Sequence, residues 1–207
     1  MTDLITVSID GMGGDNAPEM IVGGIDMACK EDATVRYLLF GDETKLRPLL
    51  DKNPLARQSC EIRHTTDIVT MDDKPTTALR SGKNSSMRLA IDAVKNGEAL
   101  AVVSAGNTGA LMAISMIRLR KLEGINRPAI AVLWPSKSQV GFNIVLDVGA
   151  DIKAEANDLL QYALMGVSYA RNGLNVEKPK VGLLNVGTEE HKGRAELHKA
   201  YELIEKN

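Results

Sequence analysis

Residues 8–18 read SIDGMGGDNAP, and the fold turns on what this stretch is. Gly11, Gly13 and Gly14 fall within four positions, Asp10 and Asp15 flank them, and Pro18 closes the run. Leu4, Ile5, Val7 and Ile9 form a strand-like run before it. A helix-like run follows, with Pro18 suited to a first helical turn. A strand that passes through a glycine-rich turn into a helix is the opening unit of a parallel α/β sheet.

The same order recurs outward from it. Strand candidates are ITVSI (5–9), VRYLLFG (35–41), ALAVVSAG (99–106), AIAVLW (129–134), FNIVLDVG (142–149) and KVGLLNVG (180–187). Each is a continuous apolar run, as expected of strands covered on both faces. Helical spacing is found over 107–121, 153–171 and 192–206, with Arg118, Arg120 and Lys121 closing the first of these as C-terminal cations. The expected fold class is α/β: a doubly wound, mostly parallel sheet with helices on both faces, as a single domain over 1–207. Residues 66–84 (TDIVTMDDKPTTALRSGKN) lack this periodicity and are expected to be a long loop or lid.

Several chemistries are excluded or weakened by the residues. The chain carries 25 Lys and Arg against 27 Asp and Glu with no basic block, which argues against a nucleic-acid partner. Cys29 and Cys60 stand without a CxxC or Cys/His cluster and read as reduced, buried thiols. His191 and His198 are seven apart and His64 is remote, so no metal site is expected. The dinucleotide fingerprint is half met by Gly11 and Gly13, but its third position falls on Asn16; Asp42 stands where its ribose-binding acid would be. Gly82-Lys83 is followed by Asn84, which spoils a P-loop, and no nucleophile elbow is present. No apolar run is long enough to span a bilayer, so a soluble protein is expected, with surface attachment to a membrane left open.

What remains is one pattern used three times: SIDGMGGD, SAGNTGA (104–110) and NVGTEEHKG (185–193) each lead from a strand through a glycine-rich polar turn into a helix. Such turns emerge on one edge of a parallel sheet, and exposed N–H groups at helix starts suit a phosphate.

These residues are specific enough to carry a family resemblance. DGMGGDNAP (10–18), RSGKNSSM (80–87), SAGNTGAL (104–111), GINRPAI (124–130) and LLNVGTEEHKG (183–193) resemble, in order and spacing, the phosphate acyltransferases of bacterial phospholipid synthesis, the PlsX family. DVGAD (147–151) and QYALMGVSYA (161–170) agree. The family's opening usually has alanine and histidine where this chain has Gly11 and Asn16, and asparagine where it has Asp151. An amide at position 16 cannot shuttle protons at neutral pH. Family members continue well past Asn207, so the chain resembles the N-terminal part of a longer protein.

The resemblance implies an isocitrate/isopropylmalate dehydrogenase-like fold and a homodimer. It implies that phosphate attacks the thioester of a long-chain acyl group on acyl carrier protein. The acyl phosphate formed is then used by a membrane glycerol-3-phosphate acyltransferase. No cofactor is implied, and the expected location is cytoplasmic. Under this reading Lys192 pairs with phosphate or the developing charge, beside donors at Gly187 and Thr188. Gly13, Gly14, Ser85, Ser86, Ser104, Gly106 and Thr108 are candidate phosphate-binding residues. Asn107 is either a catalytic donor or only an N-cap, and Asp10 either orients Lys192 or a donor or ties down its turn. Arg80, Lys83 and Arg127 are candidate contacts for an acidic carrier protein. Two other readings stay open: a coenzyme A-dependent phosphotransacylase and a non-catalytic phosphate-binding fragment.

Overall fold

The computed structural model describes residues 5–138, 140–148, 154–187 and 193–206. The chain divides into two compact units, residues 1–120 and 121–207.

The first unit holds β1 (Thr6–Asp10), α1 (Glu19–Glu31), β2 (Arg36–Gly41), α2 (Glu43–Lys52), α3 (Pro54–Ser59), β3 (Cys60–His64), α4 (Pro75–Ser81), α5 (Ser86–Lys95), β4 (Ala101–Val103) and α6 (Thr108–Arg118). Its four strands are all parallel, in the order β3-β2-β1-β4. Alternate side chains of β2 divide the core. Tyr37 and Leu39 join Ile9, Val22, Ile25, Leu46 and Leu50 on one face, where α1 and α2 pack. Leu38 and Phe40 join Ala90, Ala93 and Ala99 on the other, where α5 packs. The sheet is therefore covered on both sides at its centre, as its apolar runs predict. Leu39 is fully buried, and truncating such a side chain to alanine costs about 2–5 kcal/mol.

Local chemistry fixes the helix starts. Asp42 caps α2 by accepting from the Thr44 N–H at 3.0 Å and the Thr44 hydroxyl at 2.7 Å. The acid that a dinucleotide fingerprint would offer to a ribose is spent on this cap. Helix α3 has no cap of its own; Asp26 of α1 supplies one, accepting from Leu55 N–H at 3.1 Å and Ala56 N–H at 3.2 Å. Those bonds hold the Asp26 carboxyl below the ordinary carboxylate range. The Ala56 N–H contributes most, and burial opposes the shift. Cys29 is buried and Cys60 half-buried in the same cluster, and burial pushes the Cys60 thiol up to about 12.

The second unit holds β5 (Ala131–Pro135), β6 (Phe142–Leu146), α7 (Ala156–Leu174) and α8 (Ala195–Glu205). Here the expectation of parallel strands is corrected: β5 and β6 pair antiparallel, Leu133 opposite Ile144. The connection over 136–141 is too short for a parallel crossover. Helix α7 opens with a capping box, in which the Glu155 N–H donates to Asp158 Oδ2 at 3.1 Å. Gln161 of α7 accepts from the Asn126 N–H at 2.9 Å and donates to the Gly124 carbonyl at 3.1 Å, joining two of the family-like stretches.

One further expectation is corrected. No strand forms over 180–187 among the described residues, and Val181, Leu184 and Val186 are exposed. An apolar run becomes a strand only where a neighbour completes its ladder. Residues 66–84, expected as a long loop or lid, include the short helix α4. Proline at the first position of α4 supplies its start, but the helix is too short for periodicity to reveal.

Candidate active site

The strand order places β1 and β4 side by side with their following helices departing to opposite faces. This is the topological switch point of the sheet, where open α/β folds bind ligands at the carboxyl ends of the strands. Ile9 pairs with Val103, so Asp10 and Ser104 are the next residues out on the two strands.

Asp10 is the hub of that crevice. Its side chain is 1% exposed, and a buried carboxylate must be compensated by donors. Oδ1 accepts from the Ser86 hydroxyl at 2.6 Å and from the Met12 N–H at 3.3 Å. Oδ2 accepts from the Ser104 hydroxyl at 2.7 Å, and Ser104 Oγ in turn accepts from the Gly106 N–H at 3.1 Å. One carboxylate thus ties the turn after β1 to the start of α5 and to the turn after β4. It bridges residues 76 and 94 positions away in sequence.

The glycines are demanded by closeness. A Cβ on Gly13 would collide with Asp10 Oδ2 and lie 3.0 Å from the Gly106 nitrogen. Gly14 sits at φ +107, where a side chain is strained, and a Cβ there would meet the Ala105 carbonyl at 2.9 Å. The first and second glycine turns therefore touch backbone to backbone.

Asn107 closes the other side. Its Oδ1 accepts from the Ala110 N–H at 3.0 Å, capping α6. Its Nδ2 donates to the carbonyls of Thr70, Met71 and Asp73 at 3.2, 2.9 and 2.9 Å. Ser85 caps α5, with its Oγ 3.4 Å from the Arg88 N–H, and donates to the Gly82 carbonyl at 2.8 Å. Of the residues singled out from sequence, Asp10, Gly13, Gly14, Ser85, Ser86, Ser104, Gly106, Asn107 and Thr108 all lie around this crevice in the first unit. The hydroxyl protons of Ser86 and Ser104 go to Asp10, leaving their oxygens as acceptors. Thr108, at the first position of α6, is exposed. Arg80 and Lys83 are exposed around the turn from α4 to α5. Arg127 is exposed and Gly187 half-buried in the second unit. Thr188 and Lys192 lie outside the described residues, as does Asp151.

Sequence reasoning missed the residues that fasten 66–84 to the crevice. The Ser86 N–H donates to the Asp67 carbonyl at 3.0 Å, and Thr65 Oγ1 donates to the Asn84 carbonyl at 2.5 Å. Thr65 is the first of two adjacent threonines just after β3, and no local pattern marks it.

A family model described as fatty acid synthesis protein matches residues 5–207. The phosphate acyltransferase of Jannaschia sp. (strain CCS1) is 60% identical over 200 residues, covering 97% of this chain and 55% of its own length. The chain belongs to the phosphate acyltransferase family. That of Dinoroseobacter shibae is 61% identical over 198 residues, covering 96% of this chain and 51% of its own length. The chain thus spans about half the length of the curated phosphate acyltransferases it matches. Among solved structures, a phosphotransacetylase from Streptococcus pyogenes superposes with a TM-score of 0.71 at 18% identity, over 100% of this chain and 66% of that one. The EutD phosphotransacetylase from Staphylococcus aureus does so at 0.66 and 17%, over 98% and 64%. At that identity the likeness speaks for the fold alone, an α/β fold shared between phosphotransacetylases and this member of the phosphate acyltransferase family.

Proposed function

We propose that the protein transfers a long-chain acyl group from acyl carrier protein to inorganic phosphate, within an isocitrate/isopropylmalate dehydrogenase-like domain that includes residues 1–207. The observation that carries this reading is the identity of about 60% with phosphate acyltransferases across nearly the whole chain. The Asp10 hub gives it a physical basis, since it gathers glycine-rich turns and helix starts at the switch point of the sheet.

In this reaction no protein nucleophile is needed. A phosphate oxygen attacks the thioester carbonyl, a C–O bond forms, and the C–S bond breaks. The carrier thiolate leaves and takes up a proton. The protein's work is to hold a dianion beside a carbonyl and to meet the oxyanion with fixed donors. Positioning can contribute about 7–11 kcal/mol and one oriented donor about 3–4 kcal/mol. We assign Lys192, with Gly187 and Thr188, to anion binding, and Thr108 at the start of α6 to anion donation within its own unit. In this assignment Asp10 is a positioning residue for the crevice. Arg80, Lys83 and Arg127 are assigned to the carrier, so its binding should weaken with salt.

No helix among the described residues is long and apolar enough to cross a membrane. The proposal places the enzyme in the cytoplasm as a homodimer, at or near the inner face of the plasma membrane. There a membrane glycerol-3-phosphate acyltransferase would consume the acyl phosphate.

The likeness to phosphotransacetylases favours a second reading, with coenzyme A as the acyl carrier. Parallel assays with palmitoyl-acyl-carrier protein and palmitoyl-coenzyme A separate the two. The first reading predicts the larger kcat/KM on the carrier protein, and a preference for coenzyme A would overturn it.

A further inference from the structure

We infer that Ile68 and Met71 are the acyl-chain contacts of this site, presented by a fastened loop rather than by a lid. The inference rests on the acyl-transfer reading above and assigns part of its substrate recognition.

The loop is held at both helix starts that form the crevice. At the start of α5 the Ser86 N–H holds the Asp67 carbonyl, and Ser86 is the residue whose hydroxyl reaches Asp10. At the start of α6 the Asn107 amide holds the carbonyls of Thr70, Met71 and Asp73. The turn closes on itself as well, with the Thr70 N–H donating to Asp73 Oδ2 at 2.8 Å. Between these ties Val69 points inward and is buried with Met87, Ala110 and Ile114. Its neighbours are left outside: Ile68 and Met71 are each 48% exposed.

Two large apolar side chains in solvent are ordinary when scattered. Here they sit on a short segment whose backbone is bonded to two residues of the crevice, and Met71 contributes its own carbonyl to Asn107. An inorganic phosphate has no use for apolar surface, whereas the acyl half of the other substrate is an alkyl chain. Methionine adapts its shape to flexible apolar partners. The rigid backbone would keep this surface in register with the thioester carbonyl without a closing step. Covering two or three methylenes is worth about 10- to 50-fold in binding.

The test is a chain-length comparison on the full-length protein. Ile68→Ser/Met71→Ser is compared with wild type, and with Met27→Ser as an exposed methionine on α1 away from the loop. Acyl phosphate formation is measured with palmitoyl- and butyryl-acyl-carrier protein. The double variant is expected to lower the palmitoyl-to-butyryl ratio of kcat/KM by about 10- to 50-fold while KM for phosphate stays fixed, with Met27→Ser unchanged. An active double variant whose ratio matches wild type overturns the assignment. A wild-type protein that forms no acyl phosphate from either thioester overturns the acyl-transfer reading itself, and this inference with it.

Discussion

Replacing Asp10 with alanine is the sharpest perturbation of the crevice. The carboxylate accepts from the Ser86 hydroxyl at 2.6 Å, the Ser104 hydroxyl at 2.7 Å and the Met12 N–H at 3.3 Å. The third bond is long and adds little. The first two leave hydroxyl donors stranded, Ser86 fully buried and Ser104 half-buried. At about 1–3 kcal/mol for each unsatisfied group the loss sums to about 2–6 kcal/mol. That is a large share of the about 5–15 kcal/mol that holds a typical domain together. Asp10→Asn should cost less, because Oδ1 still accepts from Ser86 while the amide turns its donors toward Ser104. Urea unfolding read at constant slope measures both. The double variant Asp10→Ala/Ser86→Ala adds the decisive comparison. Once the acceptor is gone, removing its donor should cost little or restore stability, so the two changes are strongly non-additive. A loss below about 1 kcal/mol for Asp10→Ala, or strict additivity of the pair, would show that the hub does not hold the three turns together.

Other outcomes follow from single features. Gly13→Ala should destabilise by about 1–3 kcal/mol, since its Cβ meets the Asp10 carboxylate and the Gly106 backbone; wild-type thermal unfolding would refute the close approach. Asn107→Asp keeps the α6 cap but sets a carboxylate against three carbonyls, so amide exchange over 70–73 should quicken while that of α6 holds. The depressed Asp26 carboxyl contributes stability that is present above the unfolded aspartate value of about 3.9 and lost as pH falls through its lower folded value. Asp26→Asn should therefore flatten stability against pH in that acid window, measured by urea midpoints at successive pH values. With its thiol pushed up to about 12 by burial, Cys60 should resist alkylation in the native protein at neutral pH and react on unfolding, as intact mass would record.

How much of this was legible in the sequence depends on whether the determinant is local. The turn at 10–18 and the apolar runs of β1 and β2 are local, and they gave the parallel sheet and its covered centre. Asn107 could be seen as a cap because a cap acts on its own helix, whereas Ser85 read only as an anion-binding candidate and the fold reveals its cap on α5. Strand β3, CEIRH, escaped because only Cys60 and Ile62 are apolar and it lies at the sheet edge, paired on one side. The antiparallel turn of β5 on β6 was available in the short connection but hidden by continuous apolar runs, which do not encode direction. The run over 180–187 has strand composition without a described ladder partner, and composition cannot supply one. The crevice was legible as a set of residues and not as a network. Ser86 and Ser104 suggested phosphate donors, and only the fold reveals that their protons go to Asp10. The Asp26 cap on α3, formed across 29 and 30 residues, has no sequence signature at all.

The identity of the acyl product decides most directly whether phosphate is the acceptor. Full-length protein, palmitoyl-acyl-carrier protein and phosphate would be mixed under single-turnover conditions, and the acyl product trapped with hydroxylamine while carrier thiol is counted. Acyl phosphate appearing in step with free thiol, and both collapsing in a folded Lys192→Ala variant, is the predicted result. Thiol released with free fatty acid instead, or no thiol released at all, would contradict phosphate as the acceptor.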